Sequence, residues 1–229
     1  MLFLMSTLAT FSSIVSSTLD FPSGALVCVV DDDASLRRSL SRLFRSMGLR
    51  AETFSSAQDY LDHAAHDGPC CLVLDVCMPG LDGLELQRAI ASREEQIVFL
   101  SGHCDVPMCA QAMKAGAVDF LTKPVDEEAL MTCVSQALVR SAKMRQAGQG
   151  RAEARTRIAM LTPREMEVMQ CVIAGLLNKQ IAAELGAAEK TIKIHRGRVM
   201  EKTGVGSVAD LVRLAQAAGM KSVTAASGP

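Results

Sequence analysis

Four short apolar runs along this chain each lead into a polar side chain, and no other feature constrains the fold as strongly. The runs end at Asp31, Asp75, Ser101 and Lys123. Helical patterns lie between them, and alternation of strand and helix predicts a parallel sheet with helices on both faces. Because the carboxyl ends of parallel strands meet at one edge of a sheet, we expect these four side chains to lie together.

The first half of the chain contains five strand candidates. They span 25–30, 50–54, 71–75, 97–100 and 119–121, and helices are predicted at 34–47, 83–92, 107–115 and after Asp126. Aspartates or glycines at the ends of these stretches fit helix caps. Five such units predict an α/β fold with a doubly wound, five-stranded parallel sheet.

A second, smaller, all-helical domain is predicted to begin at Thr162. The sequence Thr162-Pro163-Arg164-Glu165 is a capping box with proline at the first helical position. Asn178 is expected to cap the next helix, and Gly186 to make the turn into a basic third helix at 189–202. A fourth helix is predicted at 207–217. Two helices joined by a short glycine turn, the second one basic, are typical of a helix-turn-helix.

These patterns divide the chain into five segments. We predict an N-terminal extension at 1–24, a first domain at 25–140, a linker at 141–160, the helical domain at 161–221 and a tail at 222–229. Gly148 and Gly150 are expected to interrupt the linker, which is therefore predicted to be only partly helical. The extension is apolar and rich in serine and threonine but has no lysine or arginine. It lacks the basic start of a secretory signal. We therefore expect either a disordered extension or a stretch that results from a start codon assigned too far upstream.

Charge and cysteine usage narrow the functional classes. The net charge of −1 hides basic clusters at 140–157 and 190–202, which indicate a nucleic-acid surface in the second half. No stretch reaches the roughly 18 uninterrupted apolar residues of a transmembrane helix, and we expect a cytoplasmic protein without membrane partners. The eight cysteines show no zinc-site spacing and are predicted to be free thiols. A redox role for Cys77 or Cys104 is the minor alternative.

Residues 25–140 resemble a two-component receiver domain, and residues 161–218 resemble a LuxR-type DNA-binding domain. The first resemblance is carried by the stretches VVDDD, LVLDVCMPGLDGLEL and SGHCDVPMCAQAMKAGAVDFLTKP. The second is carried by LTPREMEVMQ, GLLNKQIAAELG and TIKIHRGRVMEK. Together they resemble the NarL/FixJ family of response regulators, most closely its FixJ-like branch. The resemblance implies a flavodoxin-like sheet of order 2-1-3-4-5 followed by a four-helix domain.

The resemblance also implies the chemistry of the first domain. Asp75 would accept a phosphoryl group from a sensor histidine kinase, with Mg²⁺ as cofactor. The metal ligands would be Asp31, Asp32, Asp75 and the backbone carbonyl of Cys77, with Asp32 binding directly and Asp31 orienting metal-bound water. Lys123 would pair with one phosphoryl oxygen and Ser101 would hydrogen-bond another. Asp33 is assigned to helix capping or solvent.

Phe120 takes the place of the family's switch aromatic. We expect Ser101 to move toward the phosphoryl group and Phe120 to rotate into the space that Ser101 leaves. This motion would bias the face built from 106–115, 119–121 and 127–138, where family members form homodimers. The Lys123–Pro124 peptide is expected to be cis, as in the family. His103 and Cys77 lie where relatives tune the slow loss of the phosphoryl group.

In the second domain, the third helix would enter the major groove of promoter DNA. The expected contact residues are Lys190, Lys193, Ile194, His195, Arg196, Gly197 and Arg198. The fourth helix would pair with a second copy, so that a dimer reads two half-sites, with RNA polymerase as a further partner and activation favoured over repression. Ala188 stands where the family places a capping serine or threonine, so a marginal first helical turn is expected.

Three other functions fit part of the pattern. A regulator that binds DNA without phosphorylation would use the first domain only as an interaction module. A phosphohydrolase of the haloacid dehalogenase type needs a second aspartate two residues after the nucleophile, and Cys77 occupies that place. A LuxR protein that senses a small molecule lacks a ligand-domain signal here. The sequence therefore favours a phosphoacceptor with at most slow self-dephosphorylation over an enzyme.

Overall fold

The computed structural model describes residues 21–102 and 105–220, and within these ranges it contains five strands and nine helices. The strands are β1 Leu26–Val30, β2 Arg50–Phe54, β3 Cys70–Asp75, β4 Gln96–Ser101 and β5 Asp119–Thr122. The helices are α1 Ala34–Ser46, α2 Ala57–Leu61, α3 Gly83–Ala89, α4 Val106–Lys114, α5 Glu127–Ala159, α6 Pro163–Ile173, α7 Asn178–Glu184, α8 Glu189–Thr203 and α9 Val208–Ala217. The chain divides into two compact units, with the boundary after Arg145.

The sheet has the strand order β2-β1-β3-β4-β5, and every pairing is parallel. The predicted order 2-1-3-4-5 is confirmed. The register pairs Val30 with Leu74, and one step further along it pairs Asp75 with Leu100. Asp31 and Ser101 therefore emerge at nearly the same level as Asp75. All the strand ends that carry polar side chains lie on one edge of the sheet.

The core of the first unit consists of two apolar layers, one on each face of the sheet. Alternate residues of β1 divide between them, since Val27 and Val29 face one layer and Leu26 and Cys28 the other. The first layer includes Phe44 of α1, which is fully buried. Burial of both faces explains why the strands read as continuous apolar runs instead of alternating with polar residues.

Aspartates cap three of the helices that follow strands. Asp33, Asp82 and Asp105 are the N-caps of α1, α3 and α4, and each accepts backbone N–H groups of the first turn. Each cap stabilises its helix by about 1 kcal/mol. The predicted capping role of Asp33 is confirmed, because its Oδ1 accepts the N–H of Ser35 at 2.7 Å.

Helix α2 was not predicted from the sequence. It has five residues, with Ser56 as its N-cap and Tyr60 buried against the sheet. A stretch this short covers little more than one turn, so it shows no helical repeat of apolar residues.

The linker differs from the prediction. Helix α5 continues without a break through Gly148 and Gly150 and ends at Ala159. Each glycine costs about 1 kcal/mol in a helix interior, but the neighbouring alanine, arginine, glutamine and glutamate residues are strong helix formers. Both ends of α5 are also anchored, since Leu138 is buried in the core of the first unit and Ile158 in that of the second. This anchoring outweighs the two glycine penalties.

Length alone does not make α5 a membrane segment. It has 33 residues, but charged side chains recur along it from Glu127 to Arg157. Within the described parts of the chain, no helix combines the length and the apolar character that crossing a bilayer requires.

The second unit contains the four predicted helices α6 to α9. Their core includes Met169, Ile181, Ile192 and Leu211, all fully buried. Gly186 joins α7 to α8 with a φ of +60°, a conformation that glycine adopts without a steric penalty. One predicted cap is wrong: α7 begins at Asn178 itself, and Leu177 is its N-cap residue.

The cysteines follow the prediction with one exception. Five of the free thiols are buried and Cys77 is exposed. Cys109 is disulfide-bonded, which the expectation of free thiols did not include. Burial raises the pKa of the Cys71 thiol above its usual range, so this group is a packing residue and not a nucleophile.

Several sequence predictions fall outside the described residues. They concern most of the N-terminal extension, since residues 1–20 are not described, and the tail at 222–229, since residues 221–229 are not described. His103 and Cys104 also lie outside the described ranges.

The start of α3 provides a first test of the fold. A Cβ atom on Gly83 would overlap the backbone carbonyl oxygen of Asp75 and lie 3.0 Å from Cα of Val76. Because backbone must shift to relieve this overlap, we expect Gly83→Ala to lower the free energy of unfolding of the first unit by about 1–3 kcal/mol. Urea unfolding followed by circular dichroism measures this change. Gly102→Ala is the control, since a Cβ there meets no atom within 4 Å. Equal stability of the two variants would contradict the close packing of Gly83 against the backbone of Asp75 and Val76.

Candidate functional site

Three aspartates meet at the carboxyl edge of the sheet. Asp31 follows β1, Asp32 is the next residue, and Asp75 is the last residue of β3. One carboxylate oxygen from each lies within 4.8 Å of the others. Asp31 and Asp75 are only 1% and 6% exposed, whereas Asp32 is exposed. The sequence prediction that these residues converge is confirmed.

Lys123 bridges the two buried carboxylates. Its Nζ donates to Oδ2 of Asp31 at 2.6 Å and to Oδ2 of Asp75 at 2.8 Å. The lysine leaves β5 just before the Lys123–Pro124 peptide, which is cis as expected. This geometry brings together the ends of β1, β3 and β5 through one ammonium group.

The pKa shifts in this cluster follow from burial and from the lysine. Burial raises the pKa of Asp31, and hydrogen bonds from Lys123 and from the Asp33 N–H offset part of the increase. Burial alone would lower the pKa of Lys123, but its hydrogen bonds to Asp31 and Asp75 outweigh this effect and the net pKa is raised. The lysine therefore stays protonated at neutral pH and neutralises part of the carboxylate charge.

The second oxygen of each buried carboxylate is held by a backbone N–H. Oδ1 of Asp31 accepts the N–H of Asp33 at 2.8 Å, and Oδ1 of Asp75 accepts that of Cys77 at 3.3 Å. Both carboxylates are thus fixed at two points. The side chain of Cys77 is exposed two residues after Asp75.

Ser101 and Phe120 lie beside the acidic cluster on β4 and β5. Ser101 is fully buried, and its backbone carbonyl accepts the N–H of Lys123 at 2.8 Å. Phe120 is half-buried and stacks on Phe99, with ring centroids 5.9 Å apart. Strand pairing therefore places the hydroxyl-bearing residue next to the bridging lysine, with an aromatic ring on the neighbouring strand.

The donor set suits a hard divalent cation. Carboxylate oxygens are the ligands that Mg²⁺ prefers, and Mg²⁺ needs few of them because it keeps several waters. The exposed Asp32 has its carboxylate available, while Asp31 and Asp75 are each also bonded to Lys123. The residues present fit a magnesium site made of Asp31, Asp32 and Asp75.

In the second unit, one face of α8 is exposed. Lys190, Lys193, Ile194, Gly197 and Arg198 lie on it, and Ile194 is 49% exposed although it is apolar. The opposite face is buried through Ile192, Val199 and Thr203. The structure therefore places five of the seven predicted contact residues on a single exposed, basic surface with an apolar side chain near its centre.

His195 and Arg196 are placed differently. Both are half-buried, and Nη1 of Arg196 donates to Oδ1 of Asn178 at 3.2 Å. Nδ1 of His195 is buried and has no hydrogen-bond partner within the described residues. Asn178, which was predicted only as a cap, thus holds a basic side chain of α8 against α7. No sequence pattern signals this contact, because it depends on how two helices pack.

An ion pair between the buried Glu165 and the half-exposed Lys202 connects the start of α6 to the end of α8. Oε2 of Glu165 accepts the N–H of Thr162 at 2.9 Å and Nζ of Lys202 at 2.7 Å. The predicted capping box is confirmed, with Thr162 accepting the Glu165 N–H in return. The hydrogen bond from Lys202 and then that from Thr162 lower the pKa of Glu165 to about 2. This pair fixes α8 relative to α6.

Ala188 has no side-chain hydrogen bond to the first turn of α8, as the sequence predicted. The helix nevertheless begins at Glu189. Burial of Ile192 in the first turn stabilises this end of α8 in the absence of a cap.

Both halves of the chain match known protein families. A response regulator receiver domain matches residues 27–135. The family described as bacterial regulatory proteins of the luxR family matches residues 159–215.

Individual relatives align with both halves at once. Nodulation protein W of Bradyrhizobium diazoefficiens is 47% identical over 200 residues, which cover 86% of this chain and 88% of that protein. The transcriptional regulatory protein FixJ of Azorhizobium caulinodans is 40% identical over 201 residues, covering 87% and 95%. The solved structure of the response regulator StyR is 45% identical, with a TM-score of 0.77, and the match covers 85% of this chain and 99% of that one.

The Glu165 pair generates a prediction about pH. A carboxyl group whose pKa is lowered on folding stabilises the fold above its ordinary pKa of 4.5, and this contribution is lost as the pH falls toward about 2. The amide of Thr162, which donates to this carboxylate, should report the titration in an NMR series, with a midpoint near 2. Lys202→Met should raise that midpoint toward 4.5. A midpoint near 4.5 in the unmodified protein would contradict the ion pair.

Proposed function

The chain belongs to the NarL/FixJ family of response regulators, and from this premise we propose that it is a transcription factor controlled by phosphorylation of Asp75. It is a two-component response regulator with a receiver domain and a LuxR-type DNA-binding domain. The observation that carries the proposal is the contact of Lys123 with Asp31 and Asp75, which assembles an acidic pocket with one fixed cation. The phosphoryl donor would be a sensor histidine kinase.

The proposed reaction moves one phosphoryl group. An oxygen of Asp75 attacks phosphorus, the P–N bond of the phosphohistidine breaks, and its electron pair returns to the imidazole nitrogen. The new P–O bond makes an acyl phosphate. Because charge spreads over the phosphoryl oxygens during transfer, cationic partners must be in place beforehand. Lys123, whose raised pKa keeps it protonated, supplies one of them.

Asp31, Asp32 and Asp75 would hold Mg²⁺, together with the backbone carbonyl of Cys77. The ion would neutralise charge on the phosphoryl oxygens and orient the group for in-line attack. Asp32, the exposed member, would bind it directly, and Asp31, fixed by Lys123 and the Asp33 N–H, would orient bound water.

Phosphorylation would be transmitted through Ser101 and Phe120. We propose that the Ser101 hydroxyl turns to hydrogen-bond a phosphoryl oxygen and that Phe120 moves into the space it leaves. The half-buried position of Phe120 on the short strand β5 is compatible with two orientations of its ring. The face formed by α4, β5 and the start of α5 would then favour a homodimer. Such coupling needs an element with two states that phosphorylation biases.

The DNA-binding domain would place α8 in the major groove of promoter DNA. Lysine and arginine contacts to phosphates provide affinity, whereas contacts to base edges provide specificity. The exposed Ile194 suits a thymine methyl group, and Lys193 suits guanine acceptors or a phosphate. Arg196, His195, Lys190, Gly197 and Arg198 complete the proposed surface. A dimer paired through α9 would read two half-sites about one DNA turn apart.

The proposal also covers the cellular compartment and the further partners of the protein. A regulator that binds promoter DNA acts in the cytoplasm, and RNA polymerase is its further partner if it activates transcription, as we favour. We propose no turnover of an external substrate. The acyl phosphate would be lost by slow hydrolysis, and Cys77 and His103 occupy the sequence positions at which family members tune this loss.

The phosphoacceptor assignment predicts a mass change. Incubation with Mg²⁺ and acetyl phosphate should add one phosphoryl group to the wild-type chain and none to Asp75→Asn, because the amide is not a nucleophile. Intact-mass spectrometry measures this directly. Asp33→Asn is the matched control in the same pocket, since asparagine also caps helices, and it should still be labelled. Labelling of Asp75→Asn would refute the site. No labelling of wild type would favour control without phosphorylation.

The recognition surface predicts a loss of DNA affinity. Lys193→Ala should weaken binding to a duplex selected from a random library by about tenfold, since a base contact is worth roughly 1–3 kcal/mol. Fluorescence anisotropy at several salt concentrations measures the affinity. Lys143→Ala, which removes an exposed lysine of α5, should leave it unchanged. If the two variants bind equally well, the surface on α8 is misassigned.

A further inference from the structure

Arg37 makes a contact with the acidic pocket that was not predicted from the sequence. It lies in the first turn of α1 and is half-buried. Its Nη1 donates to the backbone carbonyl oxygen of Asp31 at 2.6 Å. A charged donor at this distance makes one of the stronger hydrogen bonds available to a carbonyl.

The backbone carbonyl of Asp31, which accepts the hydrogen bond from Arg37, controls the path of the chain into Asp32. It belongs to the peptide group that joins Asp31 to Asp32, so its orientation sets the direction in which the chain enters Asp32. A planar peptide leaves no freedom between its carbonyl and its N–H. Arg37 therefore fixes the backbone of the exposed aspartate through the preceding peptide.

The rest of Asp31 is held by groups other than Arg37. Its N–H donates to the carbonyl of Phe54 at 3.3 Å, its Oδ1 accepts the Asp33 N–H, and its Oδ2 accepts Lys123. Asp32 has no comparable restraint of its own, because its side chain is exposed. The Asp33 N–H belongs to the peptide that follows Asp32, so its bond to Asp31 restrains Asp32 from that side. The carbonyl contact of Arg37 is the restraint on the peptide that precedes Asp32.

We propose that Arg37 is a positioning residue of the cation site, which aims the Asp32 carboxylate toward Asp31 and Asp75. The proposal rests on the proposed phosphoacceptor function, since it concerns the same magnesium site. Arg37 touches neither the ion nor the phosphoryl group. It acts through the peptide between the two aspartates.

Removing Arg37 should change the Mg²⁺ affinity in opposite directions under an electrostatic explanation and under a positioning explanation. A positive guanidinium near an acidic pocket repels a cation, so its loss would tighten Mg²⁺ binding. Loss of positioning would weaken binding, because an exposed aspartate that samples several directions must be ordered each time the ion binds. The two explanations differ in sign, which makes the measurement decisive.

The test compares four full-length proteins: wild type, Arg37→Ala, Arg37→Lys and Arg38→Ala. Arg38 is the adjacent residue with the same charge and an exposed side chain. Mg²⁺ is titrated while the backbone amide shifts of Asp32 and Asp33 are followed by NMR. Arg37→Ala should raise the dissociation constant roughly tenfold, the size usual for residues that orient metal ligands. Arg37→Lys should recover part of the affinity, and Arg38→Ala should match wild type.

Hydrogen exchange without metal separates positioning from general loss of stability. The Asp33 amide, which donates to Asp31, should exchange faster in Arg37→Ala, while amides of the buried strand β3 keep their protection. Loss of protection in β3 as well would show a structural role and overturn the proposal.

Phosphorylation by acetyl phosphate gives a third readout. The Arg37→Ala protein should react slowly at low Mg²⁺ and reach the wild-type rate at saturating Mg²⁺. Unchanged or tighter Mg²⁺ binding by Arg37→Ala would overturn the positioning role while leaving the phosphoacceptor function intact. Absence of Mg²⁺ binding by wild type would overturn the magnesium site and this role with it.

Discussion

The contact between Lys123 and the carboxylates of Asp31 and Asp75 is the interaction on which the receiver edge depends. Two carboxylates that are almost fully buried repel each other, and burial raises the pKa of Asp31. One ammonium group between them, at 2.6 Å and 2.8 Å, reduces both costs. Since Asp31, Asp75 and Lys123 lie at the ends of β1, β3 and β5, this contact also aligns the ends of strands that are far apart in sequence. The same balance leaves the pocket ready for a divalent cation, because the exposed Asp32 is not part of the pairing.

Backbone groups and helix starts surround this centre and restrict it further. Asp33 has two tasks, since its side chain caps α1 and its N–H holds Asp31. Arg37, one turn into the same helix, holds the carbonyl of Asp31. Gly83 allows the start of α3 to lie against the backbone of Asp75. The pocket is therefore built by the junctions between strands and helices, and its precision comes from hydrogen bonds that are local in sequence but meet at one edge.

The DNA-binding domain uses the same kind of interaction for a different purpose. The pair formed by Glu165 and Lys202 links a helix start to the last turn of the basic helix α8, and the bond between Arg196 and Asn178 links α8 to α7. Both contacts fix the helix from its inner side. The outer side, with Lys193 and Ile194, stays exposed. Orientation of the proposed DNA surface thus depends on polar contacts between helices of the same domain.

The sequence alone determined the sheet, the helix-turn-helix and the members of the acidic pocket, because each rests on a local pattern. Apolar runs that end in Asp31, Asp75 and Ser101 define parallel strands, and Thr162 with Glu165 defines a helix start. Other features depend on residues that are distant in sequence or on small, competing contributions to the free energy of folding. These features were decided by the tertiary structure. Helix α5 passes through Gly148 and Gly150 because both of its ends are anchored in cores, which no local propensity reveals. Asn178 binds Arg196 instead of capping α7, and Arg37 reaches the Asp31 carbonyl, because side-chain partners are chosen by packing geometry once the backbone is in place.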